Sequence, residues 1–142
     1  MTIARLVAGK PQDIIHCQST DGVEHAARLL ADHRIGALPV LDGGQVTGIF
    51  SERDLLYCIA RDGADALRHE VGAVMTAPAI TATPETTALD ALGLMTRRRI
   101  RHLPVIEDGR LAAFVSIGDL VKYRIDLIEA EAHAMREYIR TA

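Results

Sequence analysis

Residues 34–56, RIGALPVLDGGQVTGIFSERDLL, align without a gap to residues 99–121, RIRHLPVIEDGRLAAFVSIGDLV, at an offset of 65. Nine of these 23 positions are identical, where chance gives roughly one or two, so a duplication governs the fold of this chain. The same offset runs upstream. Val23, Ala27 and Leu30 have the spacing of one helix face, repeated by Ala88, Leu92 and Met95, and Ile15 matches Ile80. Each copy therefore reads as a short strand, an amphipathic helix and two strands joined by a tight turn, with a second helix opening at Ser51 or Ser116. The turns are DGG and EDGR, where glycine supplies positive φ. The expected unit is β-α-β-β-α, present twice, in an α+β class. TIARLVA (2–8) reads as a helix ahead of the first copy, and RDGADALRHE (61–70) as a polar connector.

A chain of 142 residues suits one domain or two small lobes packed together. With 49% hydrophobic residues, 4% aromatics and no Trp, its core is expected to be aliphatic. A formal net charge of -3 argues against a nucleic-acid partner. Cys17 and Cys58 make no C-x-x-C and no ligand-spaced cluster, which predicts reduced thiols in a cytoplasmic protein. No apolar run reaches the roughly 18 residues of a membrane span, and MTIARLVAGKPQD lacks a signal-peptide core, so no membrane partner is expected. His16, His25, His33, His69 and His133 share no ligand spacing, no nucleophile sits beside a base, and no P-loop or G-x-G-x-x-G is present. The expectation is a protein that is not an enzyme and has no metal.

Both copies keep a Ser and an Asp three residues apart, SERD at 51–54 and SIGD at 116–119. This spacing is a helix-capping pattern, in which the hydroxyl accepts from the backbone N–H three residues on and the carboxylate answers back. It is also a binding geometry. A helix N-terminus favours phosphate, and a carboxylate held there can accept from the two hydroxyls of a ribose.

The pieces GALPVLDGGQVTGIFSERDLL, VMTAPAITATPETTALDALGLM and RHLPVIEDGRLAAFVSIGDLV resemble the CBS domain, and the chain from about residue 2 to 125 is similar to a stand-alone tandem pair, a Bateman module. The resemblance implies two repeats, 1–66 and 67–126, packed through their sheets about a pseudo-twofold axis, with a helical extension at 127–142. It also implies homodimers and two clefts for an adenine nucleotide: AMP, ADP or ATP, with NAD(H) offering the same adenosine half. In the family, S-x-x-D is the ribose-binding position, and each cleft joins the S-x-x-D of one repeat to the strand start and pre-LPV residues of the other. Carried over, the first cleft joins Ser51, Arg53 and Asp54 to Ile80, Ile100, Arg101 and His102, and the second joins Ser116 and Asp119 to Ile15, Ile35, Gly36 and Ala37. The apolar members would sandwich adenine.

The copies differ where phosphate would sit. Arg101-His102 precede the second LPV and Gly36-Ala37 the first, so cations are expected in the first cleft and a small apolar slot in the second. Arg97 and Arg98 read as a helix end, where cations favour the dipole. The second copy also departs from the family in placing Ala113 where Gly is usual, and Gly118 supplies no cation. In the tail, Val121, Ile125, Ile128, Ala132, Met135 and Ile139 trace a heptad seam that either packs back on its own domain or meets a partner helix, and the length beyond Leu127 favours the partner. The expected protein is a regulatory nucleotide sensor acting on an unknown effector protein. A structural dimerisation module with vestigial clefts is the alternative, and a nucleic-acid binder using RRRIRH a third reading.

Overall fold

The structure, a computed structural model, describes residues 2–8 and 13–141. Its elements are α1 (Ile3–Val7), α2 (Val23–His33), β1 (Ala37–Asp42), β2 (Gln45–Ser51), α3 (Glu52–Asp62), a 3₁₀ turn (Gly63–Arg68), α4 (Val71–Val74), α5 (Ala88–Arg98), β3 (His102–Glu107), β4 (Arg110–Ser116) and α6 (Ile117–Thr141). From α2 to β2 every element of the first copy recurs in the second at the offset of 65. β1 pairs antiparallel with β2, and β3 with β4, each with a register shift after the LPV valine, Val40 or Val105. Arg34 and Arg99 end α2 and α5 in the left-handed conformation. The hairpin turns carry positive φ at two successive positions, Gly43-Gly44 and Asp108-Gly109, so one of the four turn positions uses Asp, which tolerates that region.

The strand expected before α2 contracts to a single parallel bridge, Cys17 to Val40 in the first copy and Ala82 to Val105 in the second. The cause lies in the LPV proline. The Cys17 N–H donates to Pro39 O at 3.3 Å and the Leu41 N–H to Cys17 O at 2.8 Å; Ala82, Pro104 and Ile106 repeat this at 2.9 and 2.8 Å. Extending either ladder backwards requires an N–H from Pro39 or Pro104, which proline lacks. Ile15 and Ile80 are thereby left off the sheets.

The hydrophobic clusters interlock. α1 precedes the first copy, yet Ile3 is fully buried in a cluster with Met95, Leu103, Val115 and Leu120 of the second. α4 precedes the second copy, yet Val71 is buried with Val23, Leu38, Val40 and Phe50 of the first. The expected polar connector therefore folds as the 3₁₀ turn and buries Ala66, because it must deliver α4 to the first core.

The returning chain also accounts for Gly48. After α4, Thr76 bridges Ile49 through two backbone bonds of 2.9 Å. A Cβ at Gly48 would lie 2.7 Å from Met75 Sδ and 2.8 Å from Thr76 O, closer than packing tolerates. The corresponding position of the second copy is Ala113, which is buried in the second core cluster.

Candidate functional site

The structure brings each of the two expected residue sets to its own cavity. A cavity of about 450 Å³ is lined by Ser51, Arg53 and Asp54 together with Ile80, Ile100, Arg101 and His102. A second, of about 500 Å³, is lined by Ser116 and Asp119 together with Ile15, Ile35, Gly36 and Ala37. Ile15 and Ile80 reach these cavities from the segments that proline keeps out of the ladders.

Ser51 caps α3 through a complete capping box. The Asp54 N–H donates to Ser51 Oγ at 3.3 Å, and the Ser51 N–H donates to Asp54 Oδ2 at 2.9 Å. The Ser51 hydroxyl donates to the same oxygen at 3.1 Å, and Thr76 Oγ1 donates to Asp54 Oδ1 at 2.8 Å. Both Oδ2 sites are thus used, and Oδ1 keeps one lone pair to offer a ligand. Thr76, held beside β2 by its bridge to Ile49, thus takes one carboxylate position, a contact the sequence does not reveal. At α6 the Ser116 N–H donates to Asp119 Oδ2 at 3.0 Å and the Asp119 N–H to Ser116 Oγ at 3.1 Å.

Charge separates the two cavities. Arg53, Arg99 and Arg101 line the first against the carboxylates Glu52 and Asp54. Arg34 lines the second against Asp13 and Asp119. The second cavity is therefore not without a cation, as the sequence suggests, but only the first has cations in excess. Arg34 and Arg99 escape sequence reasoning although they are an identical pair at the head of the repeated block. Their left-handed backbone at the helix end turns the chain toward the strand and leaves them at the cavity mouths. Arg53 Nη1 also donates to Arg99 O at 3.4 Å, joining the two copies across the first cavity. Arg97 and Arg98, read as a helix end, lie in the last turn of α5 and line neither cavity.

His102 and the pair Gly36-Ala37 line both cavities, so they form the partition. The His102 ring stacks on Phe114, with centroids 5.5 Å apart and planes inclined by 13°. A Cβ at Gly36 would stand 3.3 Å from His102 Cε1, so the glycine makes room for the ring. Burial lowers the His102 pKa from its ordinary 6.5; Asp119 and Glu52 oppose that shift and Arg101 adds to it. Below about pH 6.5 the unfolded chain then binds more protons at this position than the folded one. Stability should fall as pH drops through that window. Urea denaturation at about pH 7.5 and 5.5 should show a smaller loss in His102→Gln than in the unsubstituted protein; equal losses would exclude His102 as a source.

Two sheets with interlocked cores and a pair of pseudo-equivalent cavities define a tandem-repeat module. The CBS domain profile matches residues 11–61 and again 71–126, and the chain belongs to the CBS-domain family, with two copies in tandem. The CBS domain-containing protein CBSX3, mitochondrial, of Arabidopsis thaliana is 39% identical over 129 residues, which cover 87% of this chain and 63% of that protein. The chain thus spans less than two thirds of that relative. The crystal structure of the CBS-domain containing protein ATU1752 from Agrobacterium tumefaciens is similar with a TM-score of 0.81 and 38% identity, covering 87% of this chain and 99% of that one. The crystal structure of CBSX2 in complex with AMP is similar with a TM-score of 0.76 and 25% identity, covering 89% and 97%. No helix among the described residues is long and apolar enough to cross a membrane.

Proposed function

We propose that the protein is a regulatory sensor of adenine nucleotides and not an enzyme, with AMP, ADP or ATP bound in the first cavity. One observation carries this reading: the capped Asp54 of one copy shares a cavity with Ile80, Ile100 and Arg101 of the other. Asp54 accepts from the ribose, Ile80 and Ile100 enclose the adenine, and the three arginines meet the phosphate. The CBSX2 complex with AMP supports the ligand class. NAD(H) offers the same adenosine half. A thermal-shift screen of AMP, ADP, ATP, NAD, NADH and S-adenosylmethionine tests the reading, because a ligand that binds only the folded state raises the melting temperature. Adenine nucleotides should raise it; if none of the six does, the clefts are vestigial and the chain is a structural dimerisation module.

The sensor works in the cytoplasm as a homodimer that passes its state to an effector protein, without nucleic acid or membrane. Past Leu127 every described residue of α6 is exposed, including Ile128, Met135, Tyr138 and Ile139. Such a seam needs a partner helix. Deleting residues 129–142 should shift the mass seen by light scattering toward the monomer at low concentration. A dimer as tight as before would place the interface on the repeats alone.

A further inference from the structure

We propose that Cys58, Asp62 and His69 form a site for one transition-metal dication of the zinc type, at the junction where the chain leaves the first repeat. These residues line neither cavity, and spacing along the sequence does not reveal them. The fold does. Cys58 and Asp62 stand one turn apart on α3, and the 3₁₀ turn brings His69 back over them. One ligand atom from each of the three lies within 4.8 Å of the others.

The donor set is a thiol, an imidazole and a carboxylate. That combination suits zinc and its neighbours and does not suit magnesium or calcium, which take oxygen donors. Bonds of about 2.0–2.3 Å place ligand atoms on a tetrahedral zinc roughly 3.3–3.8 Å apart, so closing the site takes about 1 Å of side-chain movement. The Cys58 side chain is buried, and its thiol has a loose contact of 3.9 Å to Ala66 O. The Asp62 and His69 side chains are 30% and 38% exposed, which leaves an entry path and a fourth position for water.

His69 Nε2 lies 3.1 Å from Asp62 Oδ2, and Arg61 Nε donates to that same oxygen at 3.0 Å. On metal binding, His69 exchanges its carboxylate contact for the ion. Asp62 presents Oδ1 to the metal and keeps Arg61 on Oδ2 as an outer partner that orients it. The ion would then tie the end of α3 to the segment that delivers α4 into the first core.

Cobalt(II) added to the full chain is the probe, since thiolate ligation gives a charge-transfer absorption band and tetrahedral geometry intense visible bands. One ion per chain should bind and be displaced by zinc. Cys58→Ser should abolish the thiolate band. His69→Ala and Asp62→Asn should each weaken cobalt by at least about 10-fold, as loss of even an outer partner costs that much. These two half-exposed positions keep the test open if Cys58→Ser fails to fold. The proposal is overturned if the unsubstituted chain gives no thiolate band, if the band survives Cys58→Ser and so arises at Cys17, or if neither His69→Ala nor Asp62→Asn changes the cobalt affinity.

Discussion

Asp54→Ala should weaken AMP and adenosine alike, by roughly 10- to 150-fold, because a hydrogen bond to a charged group is worth about 1.5–3 kcal/mol. Both ligands carry the ribose diol, and Oδ1 of Asp54 retains one acceptor position for it after Thr76 is served. The fold should survive. The substitution removes one half of the α3 capping box and leaves Ser51 Oγ accepting from the residue 54 N–H, at a cost near 1 kcal/mol. The bridge between Thr76 and Ile49 rests on backbone bonds, so it does not depend on the carboxylate. Calorimetric titration with both ligands checks this. Unchanged affinity for both would leave Asp54 with capping as its whole role.

The duplication made most of the architecture legible. Identity at Leu, Pro and Val marks β1 and β3, Ser and Asp mark the starts of α3 and α6, and a shared offset places everything between. What local pattern cannot carry is the exchange of α1 and α4 between the two cores, since Ile3 and Val71 are buried against residues far along the chain. The leading strands contract to single bridges for a reason present in the sequence, the missing N–H of Pro39 and Pro104. Within the candidate site, the expected residues do line common cavities. Thr76 was missed because its place beside Asp54 depends on the chain returning to β2 after α4, a tertiary event. Arg34 and Arg99 could have been found from their identity across the repeats. Cys58 and His69 are eleven positions apart and meet through the 3₁₀ turn, which the composition of 61–70 disguises as a solvated connector.

Arg101→Ala should separate the two ligands that Asp54→Ala treats alike. Arg101 is exposed at the first cavity, where arginines outnumber carboxylates. Only AMP brings a phosphate, so AMP should lose roughly 3- to 10-fold more affinity than adenosine, a range discounted for solvent screening of an exposed pair. The gap should narrow in high salt, as the screening length falls to about 3 Å at 1 M. Measuring both variants against both ligands isolates the phosphate contribution as a cycle. Equal losses of AMP and adenosine would assign Arg101 to the fold or to the adenine slot, and the first cavity would lose its claim to the phosphate.

The central claim is that a phosphate-bearing adenine nucleotide occupies the cavity between Asp54 and Arg101 in preference to its pseudo-equivalent. Backbone amide shifts followed by NMR during an AMP titration of the full chain test it most directly. The earliest and largest changes should fall at Arg53, Asp54, Thr76, Ile80, Ile100 and Arg101, with Ile15, Ser116 and Asp119 responding later or not at all. Changes centred on Ile15, Ser116 and Asp119, or an unaltered spectrum at millimolar AMP, would contradict it.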